Sequence, residues 1–204
     1  MGKVFIGCDP DIRNLSVVAI DEESRILWIA MVKEPDKNNR GRVATKHMCS
    51  AGVRRFISWY LEEADLPDDE IAAIAVEGQA VEYSAKKGVN PQDIVNLAGV
   101  AGGMISVMSA LAMGCEVVRY PKPSEWKGSV PKHIHQMRTV NKIGIEYVKK
   151  GGQTPYPVPT KEALKDVTMG PDKINGGDWK DITDSLGLAL WAKEEYYKEL
   201  KRRK

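Results

Sequence analysis

The sequence predicts an α/β domain built on a mixed five-stranded sheet, an antiparallel hairpin beside parallel strands, flanked by helices. Three observations carry this expectation. Three short apolar stretches of strand character fall between Lys3 and Val32, and apolar runs further on alternate with segments of helical period. No stretch is polar enough over sufficient length to be disordered. With 204 residues, 43% of them hydrophobic and 28% charged, residues 1–204 read as a single domain with a real core.

The elements follow in order. Val4-Phe5-Ile6-Gly7-Cys8 centres a strand over Lys3–Cys8, and a second strand spans Leu15–Ile20. The polar turn Asp21-Glu22-Glu23-Ser24 joins it to a third strand, Arg25–Val32, as a hairpin. Val53, Phe56, Ile57, Tyr60 and Leu61 form one stripe of a helix over about Val43–Ala64. The acidic connector Glu62–Glu70 leads to Ile71–Val76, a short apolar run suited to a buried parallel strand. A glycine-rich helix from Pro91 to Met113, a strand at Cys115–Tyr120 and a helix over His133–Lys150 come next. Residues 151–177 hold four prolines and five glycines without a period and read as a long loop or insertion. A last helix over Trp179–Leu200 ends in the basic tail Lys201-Arg202-Arg203-Lys204.

Several function classes drop out. Cys8, Cys49 and Cys115 cannot pair fully and lack metal-ligand spacing, so a disulfide scaffold and a zinc module are unsupported and a reducing, cytoplasmic compartment fits. No basic region followed by a long apolar stretch opens the chain as a signal peptide would. The uncharged run Leu97–Cys115 is long enough to span a bilayer, but its glycines and serines favour a buried helix over a membrane span. The net charge of +2 conceals two poles. Between Arg119 and Lys150 eight basic residues face only Glu125 and Glu146, whereas the connector carries Glu62, Glu63, Asp65, Asp68, Asp69 and Glu70.

In sheets of this kind the ligand crevice lies at the carboxyl ends of the central parallel strands. Asp9 and Glu77 each stand directly after such a strand, and Asp181 and Asp184 are three apart on the last helix and share a face. Four carboxylates from three distant segments suit two hard divalent ions, which need oxygen ligands. Singly, each has an ordinary alternative. Asp9 before Pro10 suits a turn, Asp178 or Asp181 a helix cap, and Asp184 a solvated first-turn acid.

Gly7-Cys8-Asp9-Pro10-Asp11-Ile12-Arg13 resembles the first strand of the RuvC family of Holliday-junction resolvases, and Ala75-Val76-Glu77 resembles that family's second acidic motif. Lys132 with Ile134-His135-Gln136-Met137-Arg138 is similar to its basic motif, and Asp181-Ile182-Thr183-Asp184-Ser185-Leu186-Gly187-Leu188-Ala189 to its closing helix. Asp11 replaces a glycine and Ser185 an alanine of that pattern, and the insertion before Trp179 lacks a counterpart in compact bacterial members, so the chain resembles a divergent, phage-type one. The resemblance implies an RNase H-like fold, a homodimer, and nicking of four-way DNA junctions with two magnesium ions, for which manganese substitutes. It makes Asp9, Glu77, Asp181 and Asp184 the metal ligands, with Lys132 stabilising charge at the scissile phosphate. Alternatives are a broader branched-DNA or RNA–DNA-hybrid nuclease and, in another class, a non-catalytic junction-binding module. A sugar-kinase-like ATP-binding domain would need a second domain.

The basic segment is expected to meet DNA phosphates through Lys122, Lys127, Lys132 and Arg138, with Arg13 on a further phosphate. A solvated helix face is the ordinary reading of such lysines, Lys149 and Lys150 above all. Tyr83, the one aromatic between Glu77 and Pro91, is the candidate for stacking on an unpaired base, or packs on its own loop. Ala98, Gly99, Ala101, Gly102 and Gly103 let another helix come close, which makes residues 91–113 the expected dimer seam unless they pack on their own sheet. His133 and His135 point to different helix faces and are not expected to bind metal.

Overall fold

Parity along the central strands decides which residues meet which helix. The computed structural model describes residues 2–11, 14–33, 52–64, 70–78, 91–111, 115, 117–152 and 155–203. Strand β1 (Lys3–Pro10) pairs antiparallel with β2 (Asn14–Ile20), and β2 antiparallel with β3 (Ile26–Lys33). On its other side β1 pairs parallel with β4 (Glu70–Val76), which pairs parallel with β5 (Val117–Arg119). Because side chains alternate between faces, Val4, Ile6 and Cys8 fall on one side of the sheet and Phe5, Gly7 and Asp9 on the other.

The first side is covered by helix α1 (Val53–Glu62) and helix α2 (Pro91–Leu111), with Phe56, Trp59, Val100, Ala101, Met104 and Met108 buried against Val4, Ile6, Ile74 and Val76. The second is covered by helix α5 (Trp179–Arg202), whose Ile182, Leu186 and Ala189 pack on Phe5, Val18, Ala73 and Ala75. Between them in sequence lie α3 (Pro123–Trp126), α4 (Lys132–Lys142), and a separate antiparallel ribbon of β6 (Tyr147–Lys150) and β7 (Tyr156–Pro159).

Glycine is required at one crossing. A Cβ on Gly7 would collide with the backbone of α5 at Ser185 and Ala189. With Gly7, Ala73 and Ala75 lining this face, the helix lies directly on the strands.

Three expectations need correction. The sheet has six strands: β8 (Thr168–Pro171), inside the segment read as a loop, pairs parallel with β3 in the order β5-β4-β1-β2-β3-β8. Its Thr-Met-Gly-Pro sequence carries no strand signal, and glycine is needed there because a Cβ on Gly170 would strike the Trp59 indole. The helix expected over His133–Lys150 stops at Lys142; Gly144, at φ 70°, follows, and the chain returns as β6. The strand expected over Cys115–Tyr120 is paired only at Val117–Arg119. The early part of the helix expected from Val43 lies outside the described residues, as do Cys49, Arg13 and Tyr83; among the described residues Cys8 and Cys115 are not in a disulfide. Among the described residues no helix is long and apolar enough to cross a membrane.

Candidate active site

The parallel register of β1 and β4 places Gly7 beside Ala75 and Cys8 beside Val76, and the ladder runs one step further, the Glu77 N–H donating to the Cys8 carbonyl at 2.9 Å. Asp9 and Glu77 therefore stand side by side at the carboxyl ends of the two central strands. Their parity turns both toward α5, which supplies Asp184 one turn below the crossing at Gly7, and Asp181 a turn nearer its N-terminus. The structure thus sets the four carboxylates that the sequence singles out at one end of the sheet, within electrostatic reach of one another.

Each is positioned by specific partners. Glu77 Oε1 accepts from the Trp126 indole N–H and from the Lys127 ammonium, both at 3.1 Å, and Lys127 lies 4.7 Å from the centre of the Trp126 ring. Gly78 N–H donates to the Pro121 carbonyl at 2.7 Å and ties this end of β4 to the turn that leads into α3. Gly187 leaves room for the Trp126 ring, which a Cβ would approach to 2.7 Å. Asp184, 1% exposed, accepts from the Gln136 amide at 3.0 Å and from the Lys132 ammonium at 2.7 Å. Lys132 also lies 3.9 Å from Asp181. The Asp9 N–H donates to Ser185 Oγ at 3.1 Å; that hydroxyl donates to the Ser16 carbonyl at 2.9 Å and lies 2.5 Å from Ser16 Oγ. Every polar atom of this buried Ser16–Ser185 pair has a partner, which removes the usual cost of burying hydroxyls.

Crowded carboxylates in a partly dry site resist ionisation. Burial raises the Asp9 carboxyl well above its ordinary range, and the neighbouring Glu77 and Asp184, with a hydrogen bond to Glu77, raise it further against the pull of Lys132. Burial likewise pushes Asp181 up to about 6, Lys132 opposing it and Asp11, Asp184 and Asp178 adding to it. For Lys132 burial favours the neutral amine, but Asp184, Asp9 and Asp181 outweigh it and hold the ammonium charged. Burial lowers His135, whose ring packs edge-on to Trp126 at 4.9 Å.

These donors have the chemistry a hard divalent cation takes: carboxylate oxygens only, two of them close enough to share a proton that a cation would displace. Among the described residues no three acidic, histidine or cysteine side chains converge as a finished cage; Lys127 and Lys132 neutralise Glu77 and Asp184 instead. Lys122 and Arg138, expected on DNA, are exposed. Sequence reasoning left out Trp126 and the bond from Gln136, and it treated Asp11 and Ser185 only as departures from a pattern. Asp11 is a fifth acid within electrostatic reach of Asp181, and Ser185 organises the Asp9 backbone. The signal for Ser185 was a polar residue on an otherwise apolar helix face.

A mixed sheet of this order, with acids at the ends of its central strands and on the helix crossing them, is the RNase H-like fold. It is shared with RuvC of T. thermophilus, solved in complex with a Holliday junction substrate: the TM-score is 0.53 at 17% identity, covering 97% of this chain and 96% of that one. The yeast mitochondrial Holliday junction resolvase Ydc2 is similar at a TM-score of 0.46 and 14% identity, over 97% and 80% of the two chains. The human cytomegalovirus terminase nuclease domain is similar at 0.35 and 12%, over 95% and 82%. No protein-family model and no curated protein sequence matches the chain.

Proposed function

We propose that the protein is a structure-selective endodeoxyribonuclease that resolves four-way DNA junctions by paired symmetric nicks. The observation that carries this reading is the placement of Asp9, Glu77, Asp181 and Asp184 with Lys132 at one end of an RNase H-like sheet, within electrostatic reach of one another. Asp9, Glu77, Asp181 and Asp184 would hold two Mg²⁺ ions, or Mn²⁺ in their place. When bound, the ions supply a water of lowered pKa and stabilise the leaving oxygen of the phosphodiester.

The remaining work falls to the protein. Trp126 and Lys127 fix the Glu77 carboxylate, Gln136 fixes Asp184, and Ser185 anchors the strand end that carries Asp9. Lys132 is half exposed, so its ammonium can leave Asp184 for the charge that develops on a phosphate. Lys122, directly before α3, and Arg138, on α4, are exposed positions for neighbouring phosphates; Arg13 and Tyr83 keep their proposed roles on the backbone and on an unpaired base.

A homodimer through α2 fits its surface. Val95, Ala98, Gly99, Gly102, Ser106 and Ser109 form one exposed stripe of mostly small side chains, while Val100, Ala101, Met104 and Met108 face the sheet. Two copies related by symmetry would present two sites to the two strands to be cut.

The test is Asp184→Asn, which keeps the shape and removes the charge. On a synthetic four-way junction with Mg²⁺, cleavage should fall by at least about 100-fold, an effect of several kcal/mol on the barrier, while junction binding without metal persists. Full activity would remove Asp184 from the metal site. Parallel assays on flap, Y-shaped and RNA–DNA hybrid substrates separate junction resolution from broader nuclease activity.

A further inference from the structure

From Tyr147 to Lys161 the chain carries Lys149, Lys150 and Lys161 and no acidic residue. This stretch forms the β6–β7 ribbon, in which Tyr147 pairs with Pro159 and Lys150 with Tyr156. A two-stranded ribbon has little stability of its own, and this one is fastened at the site. The Lys180 ammonium lies 4.7 Å from the centre of the Tyr156 ring, and the Lys180 carbonyl accepts at 2.8 Å from the same Gln136 amide that donates to Asp184. Lys180 immediately precedes Asp181.

Strand pairing places Lys149 and Lys150. Helix α4 starts with Lys132 at the carboxylates and carries the chain away from them over 11 residues, roughly 16 Å at 1.5 Å per residue. After the turn at Gly144, β6 pairs Lys150 with Tyr156, the residue whose ring meets the Lys180 ammonium. Lys150 thus stands at the end of the ribbon that meets Lys180, and Lys149 one pair behind it. Both are exposed, as are Gly151 and Gly152, which leave the backbone beside them bare. The acids nearest in sequence stand at the base: Glu146, which accepts from the Thr160 hydroxyl at 3.5 Å, and Glu162. Pro157 and Pro159 lack the N–H groups with which β7 could extend the ribbon by another strand. The ribbon is built to present charge, not an edge.

The geometry points to the β6–β7 ribbon as a second phosphate-binding element, a basic arm whose Lys149 and Lys150 grip the backbone of the DNA duplex leading into the carboxylate site. This rests on the reading of that site as a DNA nuclease. It gives the segment after α4 a function separate from cleavage: it extends the contact along one duplex arm and adds affinity without base readout.

The experiment is binding of the full-length protein to a fixed four-way junction, without divalent ions, over a series of salt concentrations. For Lys149→Gln/Lys150→Gln the affinity near 0.1 M salt should fall by about tenfold or more, and the slope of log affinity against log salt should become less negative by about 1.8, the value for two lost phosphate contacts. Lys149→Arg/Lys150→Arg should restore both. An unchanged affinity, or a weaker affinity with an unchanged slope, overturns the assignment. A parent protein that binds the junction but never cleaves it sinks the nuclease reading and leaves the role of the arm to be decided by the slope; a parent that binds no DNA overturns both.

Discussion

The two faces of the sheet are packed by opposite means. Under α1 and α2 the contacts are rings and aliphatic chains: Trp28 lies 5.5 Å from Trp59, 6.0 Å from Tyr60 and 6.3 Å from Phe56, centre to centre. The indole N–H groups of Trp28 and Trp59 have no hydrogen-bond partner in that cluster. Under α5 the strands offer glycine and alanine, the helix comes down to the backbone, and buried polar groups are matched atom by atom from Ser16 through Ser185 to Asp9. A face held by bulk tolerates small displacements. A face held by close backbone contact and directed hydrogen bonds fixes positions to fractions of an ångström, which is what four carboxylates from separate segments need if they are to act on one phosphate.

The contrast breaks most visibly on the apolar face. Phe56→Ala should cost about 3 to 5 kcal/mol in urea unfolding, because Trp28, Trp59 and Tyr60 cannot collapse into the space. A second apolar truncation in the same cluster should give no recovery. Ser185→Ala, on the other face, should cost about 1 to 3 kcal/mol by leaving the Ser16 hydroxyl and the Asp9 N–H without their partner. Ser16→Ala/Ser185→Ala should then cost less than the two single changes added together, since the stranded hydroxyl goes with its partner. If the double variant is simply additive, the hydroxyl pair is not the unit that holds this face.

The smallest effect is one of pH. Asp181, raised from 3.8 to about 6 by burial and by its acidic neighbours, binds its proton more tightly in the folded chain than in the unfolded one. Its contribution to stability is complete below about pH 4 and is lost as pH rises through about 6. In chelator the parent should therefore lose roughly 1 kcal/mol more than Asp181→Asn between pH 4.5 and 7. Parallel pH profiles for the two proteins would mean that Asp181 is solvated, and would leave Asp9 as the acid of the site that resists ionisation.

Much of this arrangement is legible without coordinates because it is local. An apolar strand followed at once by an acid marks Asp9 and Glu77, and a spacing of three on a helix puts Asp181 and Asp184 together. What escaped is what depends on a partner far away in sequence. β8 is a strand only because β3 offers it an edge and Trp59 a place for Gly170. β6 is a strand only because Gly144 turns the chain back onto β7. Trp126 carries no signal in the sequence, and only the fold shows its indole N–H bonded to Glu77.

The sequence by itself determined the alternation of strands and helices, the sites of the acids and the split of charge into two poles, because period, turn chemistry and composition are written along the chain. The tertiary structure alone decided that β1 and β4 are neighbours in the register that sets Asp9 beside Glu77, that Lys127 and Lys132 neutralise the acids they face, and that a basic ribbon returns to the site. Those facts depend on contacts between residues distant in sequence, such as Cys8 with Glu77, and no local preference encodes a pairing of that kind.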